Sequence, residues 1–284
     1  MPDFINNKAV SSLKKELLGF LRSDEIHFIT WMVGLSVGVV ITYFLFFSYH
    51  TPVPLGLSKD PSNRYLDLLY ESAIKDAMNP LPDKIDSSLL SLSRADSSII
   101  DGVKHVKMLS LITSEYIDDY RMAERTKSPY PVRFDAWVSM VPQLSAHLIK
   151  EKYQDTTLLM LRVKQLLGLP YQKPYKYFAE LWVKPDDIKR PCPDSDPYDT
   201  SCLLDFPDNT DSKYREWFNN YRFTIYEADS GRGYPFSQLG YTYDWGMNQH
   251  KKGVSEFVIL GSIHPTSVYV HRIKEISSYI NEGG

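Results

Sequence analysis

The sequence predicts an α+β protein with a single N-terminal transmembrane helix and one extracytoplasmic mixed domain that ends in an antiparallel sheet. Residues 28–48 carry no charged side chain, and about 20 apolar residues match the hydrocarbon core of a bilayer when they form a helix. Beyond this run helical patterns come mostly first and strand patterns mostly last, an order typical of α+β domains. The expected divisions are a cytoplasmic segment over 1–25, a transmembrane helix over 26–50, a linker over 51–60 and the α+β domain over 61–284.

The uncharged run is expected to remain as an anchor. A secretory signal has an apolar core of only about 7 to 15 residues and a small-residue cleavage site, whereas this run is longer and no Ala-x-Ala pattern follows it. Basic residues flank the run unequally, with Lys8, Lys14, Lys15 and Arg22 before it and Lys59 and Arg64 after it. Because Lys and Arg accumulate on the cytoplasmic side, we expect a cytoplasmic N-terminus and an extracytoplasmic domain, periplasmic if the cell is bacterial. A difference of two charges decides this orientation, so the opposite one stays open.

The segment before the anchor and the anchor itself carry patterns that suit contacts with lipid or protein. Residues 8–22 form an amphipathic pattern, which predicts a helix that lies on the inner membrane surface or packs against a partner. Four small residues recur at intervals of four in the run: Thr30, Gly34, Gly38 and Thr42. Such residues let two membrane helices approach closely, although glycine is also common in membrane helices without this role. The expected partners are membrane lipid and either a second copy of the chain or another membrane protein.

The charge balance excludes one large class of partners. The chain has 32 Lys and Arg against 35 Asp and Glu, a formal net charge of −3, and residues 1–50 contain four of each sign. The part beyond the anchor therefore carries the whole −3. It lacks the basic footprint that phosphate backbones require, so nucleic acid is not an expected partner.

Cys192 and Cys202 are the two cysteines of the chain. Two sulfurs cannot complete a structural zinc site, and their spacing is not Cys-x-x-Cys. We expect a disulfide, because closing so short a loop restricts the unfolded chain by about 2 to 3 kcal/mol and the predicted topology places the pair in an oxidising compartment. Two unrelated reduced thiols are the alternative. The acidic residues between them are expected to form turns rather than a calcium site, since the rest of an EF-hand loop is missing.

After the anchor, local patterns predict each element in turn. Two prolines one residue apart make 51–60 a short stiff linker. Apolar residues at helical spacing predict a helix over 62–78, which Asn79 and Pro80 end. Residues 79–100 are rich in Pro, Ser and Asp and predict an irregular segment with a helical turn around 88–92.

The middle of the chain mixes strands and helices. Val103–Thr113 permits a strand or a helix, and a strand is preferred because its residues are β-compatible. A second strand is predicted over Phe134–Val141, and Pro142 suits the first turn of a helix that runs to about Lys152. The clearest helix covers Asp155–Leu167, since its first residue can cap exposed amides, and the glycine and proline that follow it end it. Tyr175–Lys184 alternates like a strand with a buried face.

The C-terminal part is predicted to be largely sheet. An aromatic stripe between Tyr214 and Ile225 indicates a helix packed on the core, and the glycines of 228–240 indicate a loop. Three strands are expected after that loop, over 241–245, 255–260 and 267–273. We expect the last two to form a hairpin across Gly261–Pro265.

Asp244, His250 and Glu256 are the candidate catalytic residues. An acid, a second acid and a histidine within 13 residues can carry acid-base chemistry, and the loop over 229–240 would then act as a lid. A half-buried surface hairpin with solvated charges is the alternative. The chain has no HExxH, GxSxG or P-loop motif, and its seven histidines show no metal spacing, so neither a metal nor a cofactor is expected.

Two functions are consistent with these observations. The preferred one is a single-pass envelope protein whose extracytoplasmic domain binds a protein or an envelope component, within an oligomeric membrane assembly. The other is a membrane-anchored hydrolase or transferase with its acid-base site at Asp244 and Glu256.

Overall fold

Nine antiparallel strands form the centre of the computed structural model, which describes residue 15 and residues 63–151, 155–226, 233–247 and 250–282. The strands are β1 (Ser97–Ile100), β2 (Val103–Thr113), β3 (Pro129–Val132), β4 (Asp135–Met140), β5 (Tyr175–Val183), β6 (Ile188–Lys189), β7 (Tyr241–Tyr243), β8 (Lys252–Leu260) and β9 (Thr266–Glu275). The helices beyond residue 62 are α1 (Asn63–Ala77), α2 (Ile117–Thr126), α3 (Val141–Glu151), α4 (Thr156–Leu166), α5 (Ser212–Tyr226) and α6 (Ile276–Asn281). The predicted α+β class and its large antiparallel sheet are confirmed.

The strands run in the order β3-β9-β5-β2-β4-β8-β6, with β1 added to β2 and β7 added to β8. The predicted hairpin between the last two strands is wrong, because β8 pairs with β4, β6 and β7 while β9 pairs with β5 and β3. The two strands separate at Gly261. A Cβ there would lie 2.6 Å from the Phe134 carbonyl oxygen and 2.7 Å from that of Val132, so the chain passes tightly against the connection between β3 and β4 before it reaches the far side of the sheet.

Side chains on the first face of the sheet pack against α2. Met108 of β2, Ala179 of β5 and Phe257 of β8 are fully buried on this face, because alternate residues of paired strands point the same way. The short helix contributes Ile117, Tyr120 and Ala123 at a spacing of three. We call this group the α2 cluster.

The second face carries two separate groups of buried side chains. The α4 cluster lies under α3, α4 and α6 and contains Leu109, Leu144, Leu148, Leu159, Val163, Leu166, Phe178, Val254, Ile276, Tyr279 and Ile280. The α5 cluster contains Tyr214, Trp217, Phe218, Ile225, Phe236, Val258 and Leu260. Strand β8 contributes to both clusters from one face, and this places a boundary between them along its length.

The sheet divides between β2 and β4. These strands share only two residue pairs, Met108 with Met140 and Leu109 with Ser139. Beyond them β2 continues along β5, and β4 continues along β8 to Asp135. A gap therefore opens in the middle of the sheet.

Most predicted elements are confirmed within a few residues, and the exceptions are short. Asp155 caps α4 by accepting hydrogen bonds from the amides of Thr157 (2.7 Å) and Leu158 (3.3 Å), as its position suggested. The irregular segment predicted over 79–100 instead ends in β1, and its helical turn lies at Leu92–Arg94 rather than at 88–92. Sequence patterns also missed α2, β3, β6 and α6, which are short or polar.

The predicted anchor lies outside the described residues. This holds for 26–50 with its four small residues, for the linker over 51–60 and for most of the segment over 1–25. The helices that the structure does describe include none long and apolar enough to cross a membrane. The described residues from Asn63 onward belong to one compact unit.

Candidate functional site

The gap between β2 and β4 opens into a cavity of about 1180 Å³, which we call the cleft. Its lining includes Tyr120 and Ala123 of the α2 cluster together with Leu144 and Phe178 of the α4 cluster. Side chains from opposite faces of the sheet thus border one cavity. The residues that line the cleft thus come from both faces of the sheet, near the place where its two central strands separate.

Glu256 lies in the cleft on the second face of β8. It is paired with Ser139 of β4, and its backbone amide donates a hydrogen bond to the Gly240 carbonyl (2.9 Å). The flanking residues on the same face, Val254 and Val258, are fully buried and belong to the α4 and α5 clusters. Glu256 therefore interrupts an apolar row at the boundary between the two clusters, where it is partly exposed to the cleft.

The environment of Glu256 favours the neutral acid. Burial raises the pKa of its carboxyl to about 8, since desolvation disfavours the charged form. No other described residue forms a hydrogen bond or ion pair with this carboxyl that would offset the burial. At pH 7 the group therefore holds its proton and can donate a hydrogen bond into the cleft.

Three tyrosines line the cleft together with Glu256: Tyr175, Tyr221 and Tyr234, which we call the cleft tyrosines. Of these, Tyr221 lies near enough to Glu256 to interact with it electrostatically. The ring of Tyr221 is stacked on Trp217 (centroids 5.6 Å apart) and lies 5.2 Å from the rings of Trp137 and Phe236. Burial, followed by the nearby Glu256, holds the pKa of Tyr221 well above its usual value. Within the part of the chain that the structure describes, the three hydroxyls form no hydrogen bond, so they are available to a ligand.

Acidic groups outnumber basic ones along the cleft. The acidic residues of its lining are Glu115, Asp119, Asp135 and Glu256, and the basic ones are Arg133 and Lys173. Asp135 is held by uncharged donors, with bonds of 2.7 Å from the Trp217 indole and 2.6 Å from the Ser262 hydroxyl, so its negative charge is not cancelled. Phe134 projects at the same border with 79% of its surface exposed.

Asp244, the second acid predicted for the site, is engaged elsewhere. Its two carboxylate oxygens accept bonds of 2.7 and 2.6 Å from Nη1 and Nη2 of Arg162, and one of them also accepts the Gly246 amide (3.0 Å). Both side chains of the pair are nearly fully buried, and a bidentate pair of this kind fixes geometry. Of the three candidate catalytic residues Glu256 alone lines the cleft, since neither Asp244 nor the exposed His250 does.

The predicted disulfide between Cys192 and Cys202 is confirmed. The loop that it closes surrounds Arg190, which is fully buried and lies 4.6 Å from the Phe257 ring centroid. The Arg190 guanidinium donates to the backbone carbonyls of Leu90, Asp196, Pro197, Asp199 and Gly240. This part of the molecule is thus organised around one structural cation.

The disulfide loop also brings acidic side chains close together. Its sulfur atoms do not provide metal ligands. Cys192, Cys202 and Asp194 have ligand atoms close to one another, but the two sulfurs are bonded to each other and cannot act as thiolates. Burial, followed by the neighbouring Asp194 carboxyl, raises the pKa of Asp199 to about 6. These carboxyls lie beside Arg190, whose charge partly compensates theirs.

The aromatic residues of the cleft were not predicted as site residues from the sequence. Tyr221 was included in a helix stripe assigned to the core, and neither Tyr175 nor Tyr234 was singled out as a site residue. One local signal was available, because a glutamate between Val254 and Val258 occupies a position that the alternation assigns to the buried face. Comparison with protein-family models, curated proteins and solved structures finds no match to this chain.

Proposed function

We propose that this chain is a single-pass, membrane-anchored envelope protein whose extracytoplasmic domain binds an envelope component in the cleft. The observation that carries the proposal is the cleft itself, a cavity of about 1180 Å³ with apolar and aromatic walls and a few unpartnered polar groups. Ligand sites are typically concave and mostly apolar, with a small number of polar groups that fix orientation. The cleft tyrosines and Glu256 match this description.

Two sequence features support the membrane and envelope part of the proposal. The uncharged run over 28–48 is long enough to span a bilayer, and the Lys and Arg bias directs the domain outward. The Cys192–Cys202 disulfide is stable in an oxidising compartment and uncommon in the cytosol. The recurrence of Thr30, Gly34, Gly38 and Thr42 supports an oligomeric assembly or docking to another membrane protein.

Binding in the cleft is tested by co-purification. The full-length protein is extracted from its native membrane in mild detergent, and bound small molecules are identified by native mass spectrometry. We expect a molecule that is retained by wild type and lost in Tyr234→Ala. Tyr198→Ala removes a half-exposed tyrosine of the disulfide loop and serves as the matched control. Equal retention by both variants would show that the molecule does not occupy the cleft.

Topology and assembly are tested separately. Thiol labelling of intact cells with and without reductant should show Cys192 and Cys202 as a protected, oxidised pair, and freely reactive thiols would argue for the reverse orientation. Gly34→Leu and Gly38→Leu should reduce crosslinking of the protein in membranes. Unchanged crosslinking would remove the support for assembly through the anchor.

An anchored hydrolase or transferase is the second candidate, because the pKa of Glu256 lies at about 8. A carboxylic acid that keeps its proton near neutral pH can act as a general acid. Its predicted partner Asp244 is bound by Arg162, so Glu256 would have to work without that second carboxylate. Turnover of any ester or glycosidic substrate that disappears in Glu256→Gln and persists in Glu216→Gln, an exposed control on α5, would favour the enzyme.

A further inference from the structure

Glu256 differs from two buried carboxylates, those of Asp244 and Glu180, in that it has no charged partner among the described residues. Asp244 is buried and forms a bidentate pair with Arg162. Glu180 is buried and is bound by Arg272 and by the Tyr279 hydroxyl. Each of these acids therefore has a guanidinium partner inside the fold, as the high cost of an unpaired buried charge requires.

Glu256 has no such partner among the described residues. The nearby groups with which it interacts electrostatically are Tyr221 and Tyr226, which are neutral and leave the carboxyl uncompensated. The basic residues that line the cleft, Arg133 and Lys173, form no ion pair with it. Glu256 therefore stays neutral at pH 7 and lacks a charged partner in the described part of the chain, a position that a ligand cation would fill.

The surroundings of this carboxyl suit a cation. Glu256 is neutral at pH 7, and the other charged residues of the described lining are three acids, Glu115, Asp119 and Asp135, against Arg133 and Lys173. The excess of one negative charge favours cations in a low-dielectric cavity. The oxygens of the cleft tyrosines can accept hydrogen bonds from an ammonium group. Tyr175 and Tyr234 are both partly exposed and line the cleft, and neither forms an aromatic ring pair with another described residue, so their position is compatible with cation–π contact to a ligand.

We propose that the cleft recognises its ligand through an alkylammonium group, which forms an ion pair with Glu256 and is surrounded by the cleft tyrosines. This inference rests on the proposed binding function and adds the chemical class of the ligand. A small amine and a lysine-like side chain share this chemistry. When the cation binds, the neutral carboxyl ionises and releases one proton to solvent, so that the new ion pair forms with balanced charge.

Proton release predicts how affinity depends on pH. For a carboxyl with a pKa of about 8, the ionised fraction rises from about 1% at pH 6 to about 50% at pH 8, so affinity for a permanent cation should rise about 50-fold. The other titratable or charged groups that face Glu256 or line the cleft are Glu115, Asp119, Arg133, Asp135, Lys173, Tyr175, Tyr221, Tyr226 and Tyr234. The described lining contains no histidine, so Glu256 is the group expected to set this dependence.

The test uses two matched pairs of probes and the full-length protein in nanodiscs. Choline is compared with its uncharged isostere 3,3-dimethylbutan-1-ol, and n-butylamine with butan-1-ol, by ligand-observed NMR titration. We expect the cations to bind at least tenfold more tightly than the alcohols at pH 8. The first pair reports a quaternary ammonium group and the second a primary one.

The matched variants assign any selectivity to Glu256. Glu256→Gln should lower cation affinity at least tenfold at pH 8 and abolish its rise between pH 6 and 8, while Glu216→Gln should change neither. A thermal melt of each variant confirms that it is folded. Cation binding that survives Glu256→Gln would overturn the proposal.

The remaining outcomes distinguish failure of the ammonium proposal from failure of the proposal that the cleft binds a ligand. If the alcohols bind as well as the cations and Tyr234→Ala abolishes both, the cleft remains a binding site and the ammonium assignment is wrong. If no probe binds, the ammonium assignment is overturned, and the co-purification experiment alone decides whether the cleft holds a ligand.

Discussion

Glu256→Gln is expected to stabilise the protein, and to do so increasingly as the pH rises. The pKa of this carboxyl is about 8 in the folded protein and 4.5 as the ordinary value of the unfolded chain. Between these two pH values the unfolded chain has lost a proton that the folded protein still holds. Stability of the wild type therefore falls as the pH rises through this window, whereas glutamine does not titrate.

The size of the stability difference follows from the difference between the two pKa values. Each pH unit inside the window costs the wild type about 1.4 kcal/mol, so the advantage of glutamine should grow by about 3 kcal/mol from pH 5 to pH 7.5. For a domain of this size, 1 kcal/mol corresponds to about 2 to 4 °C in Tm. The difference in Tm between variant and wild type should thus widen by about 6 to 12 °C.

Thermal denaturation of the full-length protein, followed by circular dichroism at intervals between pH 5 and 8, measures this difference. Glu216→Gln is the control, because the same chemical change at an exposed position should leave a constant and small difference. A Tm difference for Glu256→Gln that does not change with pH would refute the argument, since it would mean that the carboxyl ionises as easily in the folded protein as in the unfolded chain.

Three further predictions concern the framework around the cleft. Arg162→Met leaves Asp244 buried without its partner and should cost about 3 to 5 kcal/mol of unfolding free energy in chemical denaturation, and the double variant with Asp244→Leu should recover much of that loss. Gly240→Ala should lower Tm more than Gly102→Ala: both glycines have positive φ, but a Cβ at Gly240 would lie 2.7 Å from the Arg190 side chain, while Gly102 has nothing within 4 Å. Reduction of the single disulfide should cost about 2 to 3 kcal/mol, because it restores freedom to a loop whose ends are 10 residues apart, and a melt with and without reductant would show whether Tm falls.

Local sequence patterns predicted the elements whose conformation is set by residues nearby in the sequence. Val103–Thr113 and Tyr175–Val183 are rich in β-branched, aromatic and other apolar residues, and as β2 and β5 they form the longest ladder among the described strands. Helix α4 was found because its cap and its terminating glycine lie next to it in sequence. In these segments the residues that decide the conformation are within a few positions of the residues that adopt it.

Elements that depend on distant partners were missed or misassigned. Ser97–Ile100 has only four residues, two serines and two isoleucines, and becomes strand β1 because the start of β2 offers it an edge. The hairpin expected across Gly261–Pro265 required β8 and β9 to be neighbours, but β9 lies against β5 and β8 against β4. Spacing along the chain does not contain this information, since both arrangements use the same alternating pattern.

The candidate site could be predicted only in part, for the same reason. Glu256 was identified as a site residue from its polarity within a strand, but its supposed partner Asp244 was chosen because it is close in sequence. The true partner of Asp244 is Arg162, which lies 82 residues away. The cleft tyrosines come from three separate elements, and their convergence follows from the division of the sheet rather than from any local motif.

At the border of the gap in the sheet, one backbone group has a side-chain partner. Where pairing between β2 and β4 ends, the Ser110 hydroxyl donates to the Trp137 carbonyl (3.2 Å). The other sides of the two strands stay paired, β2 with β5 and β4 with β8. Since an unpaired buried backbone group costs about as much as a lost hydrogen bond, the contact from Ser110 offsets part of the cost of separating the strands. The carboxyl of Glu256 has no comparable partner, and this contrast makes it the place where a ligand would contribute most.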